Sequence, residues 1–213
     1  MTGVQTCALP ILFAQASIDF ENSLKISDRS FTREGLAWSA AYLGDTLHRL
    51  ERYQESKSYY KQAIDARTKA TGKSPNSLIN EAWLLISCLD LELRDPMRAI
   101  ELAKMALQKS PSNSSYLTIL AASHLRNGDS DECLKVLEQA IQSRKSRKDM
   151  IGFWQAMATW KKDEKVKAKD FFDKAVKRMN QSAPGDLKLR QLKQEAAILL
   201  GIELGLSPFA PRK

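Results

Sequence analysis

Histidine is almost missing from these 213 residues: there are two, His48 and His124, seventy-six positions apart. Neither has a cysteine or carboxylate around it at the spacing a metal ion requires. Cysteine is as sparse, with Cys7, Cys88 and Cys133. That argues against a disulfide framework, and it leaves Cys88 and Cys133, both in helical segments, as small buried hydrophobes. Unpaired cysteine at this level favours a reducing compartment, so the expected location is the cytoplasm. The glycines are isolated, with no phosphate-cradling loop and no nucleophile elbow among them. The carboxylate pairs Asp129 and Asp131, and Asp163 and Glu164, fall in expected turns, where helix capping accounts for them. No run of about eighteen apolar residues occurs to cross a membrane. The expectation is therefore a non-enzyme, with no catalytic residue, no metal, no cofactor and no small-molecule substrate.

What the chain does contain is a period. Trp83, Ile86, Ala99, Ala106 and Leu107 recur thirty-four residues later as Leu117, Leu120, Cys133, Ala140 and Ile141. Thirty-four is the tetratricopeptide spacing, in which small residues sit where two antiparallel helices cross and large ones fill the holes between them. The expected fold is all-α, a right-handed α-solenoid of antiparallel helix pairs forming a tetratricopeptide superhelix with a C-terminal capping helix.

The expected organisation is one array over 12–205. A half repeat at 12–30 precedes full repeats at about 33–75, 77–112, 113–146 and 147–182, then a capping helix at 186–204 and a tail at 206–213. The first full repeat carries Leu43, Gly44, Ser56, Tyr60 and Ala63, and nine extra residues, with breakers from Thr71 to Asn76, separate it from the next. Asp95 with Pro96, Asp129 or Ser130, and Asp186 are the expected helix starts. In the last helix Leu192, Ala196, Leu199 and Leu200 form an apolar stripe, with Lys188, Arg190 and Glu195 facing out. The opening Thr2 to Ile11, TGVQTCALPI, resembles a translated sequencing adapter, and 1–11 is set aside as artefactual. On that reading the chain is a fragment of something longer.

The net charge of +8 raises a nucleic-acid reading. Basic residues cluster at Arg144, Lys145, Arg147 and Lys148, and from Lys161 to Arg178. In the second stretch Ala168, Phe172, Ala175 and Val176 take the apolar positions, which leaves the lysines as solvated surface.

The runs NEAWLLISCLDLELRDPMRAIELAKMALQKSPSN, YLTILAASHLRNGDSDECLKVLEQAI, FWQAMATWKKDEKVKAKDFFDKAVKRMN and LRQLKQEAAILLG resemble the C-terminal tetratricopeptide region of large bacterial serine/threonine protein kinases. The resemblance covers about residues 80 to 201 and touches no kinase catalytic residue. It implies a docking or scaffold array attached to a signalling enzyme. Tetratricopeptide ligands, by the same resemblance, lie in a concave groove along the first helix of each repeat. The matching positions are Trp38, Asp45, His48 and Arg49; then Leu84, Cys88 and Leu91; then Thr118, Leu125 and Arg126; then Met157, Trp160 and Lys161. The expected partner is a protein or peptide, an amphipathic helix or extended apolar segment. Two other readings stay open, a basic helical repeat that associates with nucleic acid and a structural oligomerisation module.

Overall fold

The computed structural model describes residues 32–69, 74–143 and 146–204. The adapter-like segment, the half repeat at 12–30, Arg144 and Lys145, and the tail from 205 lie outside them. The chain divides into two compact units, Met1–Ala106 and Leu107–Lys213. Among the described residues every regular element is helical.

In the first unit, α1 (Thr32–Arg49) and α2 (Tyr53–Thr68) form a hairpin. The two helices approach closely at Gly44, where an added Cβ would stand 2.9 Å from the Tyr60 ring. Ser56 Oγ donates to the Gly44 carbonyl at 2.7 Å, so the crossing is both tight and hydrogen-bonded. Helix α3 (Pro75–Ser87) starts on Ser74, whose side chain accepts from Ser77 N–H, with Pro75 in the first turn. It stops after 13 residues. A single 3-10 turn, Leu91–Leu93, follows, and then α4 (Pro96–Lys109), which runs just past the unit boundary. Asp95 and Pro96 start α4 as the sequence indicates, with Asp95 Oδ1 accepting from Arg98 N–H at 2.9 Å.

The second unit holds α5 (Ser114–Arg126), α6 (Ser130–Ile141), α7 (Lys148–Lys161), α8 (Lys165–Ser182) and α9 (Leu187–Leu200). Helices α5 with α6, and α7 with α8, pack as pairs, and α9 packs on α7 and α8. Of the two caps proposed for α6 the structure selects Asp129, which accepts from Glu132 N–H. Asp186 caps α9 through Lys188 and Leu189 N–H. Pair α7/α8 has its own close crossing at Gly152, where a Cβ would lie 2.9 Å from the Ala175 Cβ. Beside it Phe153 and Phe172 meet edge to face at 5.7 Å.

Helices α1, α5 and α7 end in the same way. A residue with positive φ follows each of them, Glu51 at 61°, Gly128 at 92° and Asp163 at 63°. In each turn one N–H reaches back five residues, Arg52 to Leu47, Asp129 to His124 and Glu164 to Thr159. This is the Schellman arrangement, which satisfies carbonyls that a helix end would otherwise leave open. Helix α9 ends alike, with Gly201 at φ 65° and Ile202 N–H on the Ala197 carbonyl.

Three sequence expectations differ from the structure. Cys88 is not inside a helix: it follows α3 with φ −56° and ψ 141°. Glu195 does not simply face solvent, because Arg126 of α5 binds it. The buried stripe of α9 also differs in detail, consisting of Leu189, Leu192, Ala196, Ala197 and Leu200, with Leu199 only partly covered.

Candidate functional site

Most candidate residues lie on α1, α3, α5 and α7, with Cys88 and Leu91 just past the end of α3, and the two units treat them differently. In the first unit Trp38 lies on α1 with its ring 6.2 Å from that of Tyr42, and the Arg67 guanidinium of α2 stands 4.7 Å over it. Asp45 is partly covered and accepts a hydrogen bond from Tyr60 Oη. His48 meets Tyr53 edge to face at 5.0 Å, and its buried Nδ1 has no hydrogen-bond partner. Arg49 is exposed at the last turn of α1, where a cation complements the helix dipole.

Leu84 and Cys88 are buried, packed with Ala40, Tyr60 and Ala63. Their place in the core follows from the end of α3. Leu89 N–H donates to Tyr60 Oη at 3.2 Å, and Arg94 Nε donates to the Cys88 carbonyl at 2.9 Å. Backbone groups left open where the helix stops therefore find side-chain partners, which is what makes a break beside this core tolerable. Tyr60 joins three elements in this way, and burial, followed by the charge of Asp45, pushes its phenol far above the usual range. Burial likewise pushes the Cys88 thiol up to about 11. Beyond the break Leu91 is 70% exposed, and Glu92 pairs with Lys57 of α2.

In the second unit Thr118, Leu125 and Met157 are buried, so they serve the core in this state. Thr118 Oγ1 donates to the Ser114 carbonyl at 2.7 Å. Arg126 is largely covered: both of its terminal nitrogens donate to the Glu195 carboxylate, Nη2 at 2.6 Å, and its guanidinium lies 5.1 Å over the Trp154 ring. Trp160 is half-buried, with Lys165 Nζ 5.7 Å from its ring, and Lys161 is exposed. Burial pushes the Cys133 thiol up to about 12, which suits a core residue and not a nucleophile.

A second ionic tie was not anticipated. Arg147 Nε and Nη2 donate to Asp149 at 3.1 and 3.3 Å, and Nη2 also donates to Asp186 at 3.1 Å. The bonds to Asp149, then to Asp186, raise the Arg147 pKa. Burial works against the Asp186 charge, but the Leu189 N–H and Arg147 outweigh it and hold the carboxyl below its usual range. The charge at 147 and the carboxylates at 149 and 186 were legible; that the chain brings them together was not.

The lysines between Lys161 and Arg178 lie on exposed helix faces, and several meet nearby carboxylates: Lys165 with Asp163, Lys167 with Glu164, Lys174 with Asp170 and Lys162 with Asp131. Ala168, Phe172 and Ala175 are buried opposite them. Among the described residues no group of three His, Cys, Asp or Glu side chains is placed to hold a metal, and no helix is long and apolar enough to cross a membrane.

Residues 36–77, covering most of α1, all of α2 and the start of α3, match the tetratricopeptide repeat family. The chain is similar in structure to BtubC (BKLC) from P. vanneervenii, at 14% identity and a TM-score of 0.54, over 91% of this chain and 85% of that one. A mutant of MamA aligns at 15% identity over 78% of this chain and 88% of that one, with a TM-score of 0.41. MamA from AMB-1 aligns at 15% identity over 78% and 82%, with a TM-score of 0.40. No curated protein matches the sequence. The repeat match and the likeness to BtubC agree with the helix pairs described above on an all-α helical-repeat fold.

Proposed function

We propose that this chain is a protein-interaction module, in which each unit offers its own first helices to a partner's peptide or helix. The observation that carries the reading is the placement of Trp38, His48 and Trp160. All three are large, flat side chains on first helices, left half-covered instead of being drawn fully into the core. Aromatic groups of this kind supply much of the binding energy at protein interfaces. Arg49 and Lys161 lie exposed at the ends of α1 and α7, where they favour a ligand with acidic residues. The reading assigns the chain no chemical step, cofactor or small-molecule substrate.

The test is a selection of random peptides against the chain, followed by titration of the winners against Trp38→Ala and Trp160→Ala. Loss of binding in variants that keep full helicity supports the reading. Ligands indifferent to both substitutions, or none at all, would overturn it. By its resemblance to kinase C-terminal regions, the array belongs to a bacterial serine/threonine-kinase-type signalling protein, soluble or membrane-anchored, and its sparse unpaired cysteines favour the cytoplasmic side. Sequencing source DNA upstream of codon 12 checks this, since a kinase needs a glycine-rich loop, a catalytic-loop Asp and a metal-binding Asp.

A further inference from the structure

Helix α9 has the form of a ligand. It carries one apolar stripe, Leu189, Leu192, Ala196 and Leu200, buried where it packs on α7 and α8. It ends in the Schellman turn that otherwise closes the first helices α1, α5 and α7. In shape it is a first helix for which the described chain supplies no second.

Covering the end of an array requires a buried stripe and a polar outer face, and nothing more. Helix α9 has in addition a carboxylate, Glu195, that reaches back to Arg126 of α5 and makes a two-pronged charge-assisted contact. Contacts of this kind specify which helix docks and in what register more than they add net stability, because both charges lose water on forming them. Beside that contact the Trp154 indole N–H is buried and has no hydrogen-bond partner. It is a donor that α9 leaves unsatisfied. The helix is joined to α8 through Ala183, Pro184 and Gly185, of which Pro184 and Gly185 are exposed, and its first turn is tied by Arg147 to Asp186. It is held by a polar contact in its first turn, by another two turns later, and by a short turn at its root.

We propose that the surface beneath α9 is a docking site for an amphipathic helix of a partner protein, one with a leucine stripe and a carboxylate facing Arg126. Helix α9 is the occupant in cis that the partner displaces. This rests on the interaction-module reading and deepens it by naming the partner's chemistry and a built-in competitor. A short tether gives α9 an effective concentration on the order of millimolar, so a free helix binds the intact chain weakly until α9 is loosened.

The probe is a fluorescent peptide of residues 186–204, titrated into the full-length chain by polarisation. Glu195→Ala in the chain should tighten peptide binding by about tenfold, the worth of one charge-assisted contact. The same substitution placed in the peptide, or Arg126→Ala added to the chain, should abolish that gain. Glu195→Gln is the fallback where Glu195→Ala loses helicity. Independently, hydrogen exchange on the unaltered chain should show α9 opening before α5 to α8. The proposal fails if α9 exchanges only with the whole second unit, or if peptide binding ignores both Glu195 and Arg126. Selected ligands that still depend on Trp38 and Trp160 would then leave the interaction reading standing, with only this proposal removed.

Discussion

Helices α3 and α7 are of nearly equal length and end differently. Helix α7 closes on a Schellman turn and passes directly into α8, whereas α3 stops at Ser87 and reaches α4 only through a 3-10 turn. The first unit uses its polar side chains to repair that interruption, with Tyr60 on the Leu89 N–H and Arg94 on the Cys88 carbonyl. The second unit has unbroken first helices and uses its polar side chains to fasten α9, through Arg126 to Glu195 and Arg147 to Asp186. Polar side chains therefore serve two uses, internal mending in one unit and attachment of a further element in the other.

The sharpest way to break the first half of that comparison is Tyr60→Ala. It removes a fully buried ring together with both of its hydrogen bonds, and should cost about 3–5 kcal/mol in chemical denaturation. A midpoint within experimental error of the parent's would mean that the α3 break supports itself. In the second unit the corresponding lesion is Gly152→Val, since even a Cβ there meets Ala175 at 2.9 Å. Overpacking between two backbones should cost about 1–3 kcal/mol, and pairing it with Ala175→Gly should recover part of the loss.

A finer probe is Tyr60→Phe, which keeps the ring and deletes the hydroxyl. It leaves the partly buried Leu89 N–H without its partner and Asp45 without its donor, for a loss of about 1–2 kcal/mol. The Leu89 amide should exchange faster while α7 amides do not change; a uniform rise across both units would erase the difference between them. The smallest effect concerns acid. The folded Asp186 carboxyl is held below its usual range, so its contribution is complete above the unfolded value of about 3.9 and fades as pH falls through the lower folded one. Helix α9 should loosen over that window ahead of α5, and Asp186→Asn should remove the pH dependence while lowering stability at neutral pH.

The helix pairs were legible because the thirty-four-residue spacing and the helix starts at Asp95, at Asp129 or Ser130, and at Asp186 are local properties of the chain; Asp95 and Asp186 cap as expected, and Asp129 is the one of its two candidates that does. The α3 break was not. Trp83, Ile86 and Cys88 continue an apolar helical pattern, and the groups that take up the Leu89 N–H and the Cys88 carbonyl at the break are a tyrosine hydroxyl twenty-nine residues earlier and an arginine six residues later. A hint was present in Leu89, Leu91 and Leu93, which alternate with Asp90 and Glu92 in a rhythm no helix face follows. The helix that carries each candidate position was legible except for Cys88 and Leu91, which lie past the end of α3. Which of its side chains are covered was not, because burial of Leu84, Cys88, Leu125 and Met157 depends on neighbours far away in the chain. Glu195 illustrates the same limit: its place on α9 was readable, its partner sixty-nine residues earlier was not.

The left-handed step after α1, α5 and α7 is taken by a glutamate, a glycine and an aspartate in turn. A conformation that costs an ordinary L-residue about 1–2 kcal/mol is thus kept while the letter changes. The shape is inherited by the peptide backbone and not by any one side chain. Each such hairpin is in that sense a cassette with a standard joint. Its corner can change in sequence while the left-handed step and the N–H that reaches back five residues stay the same.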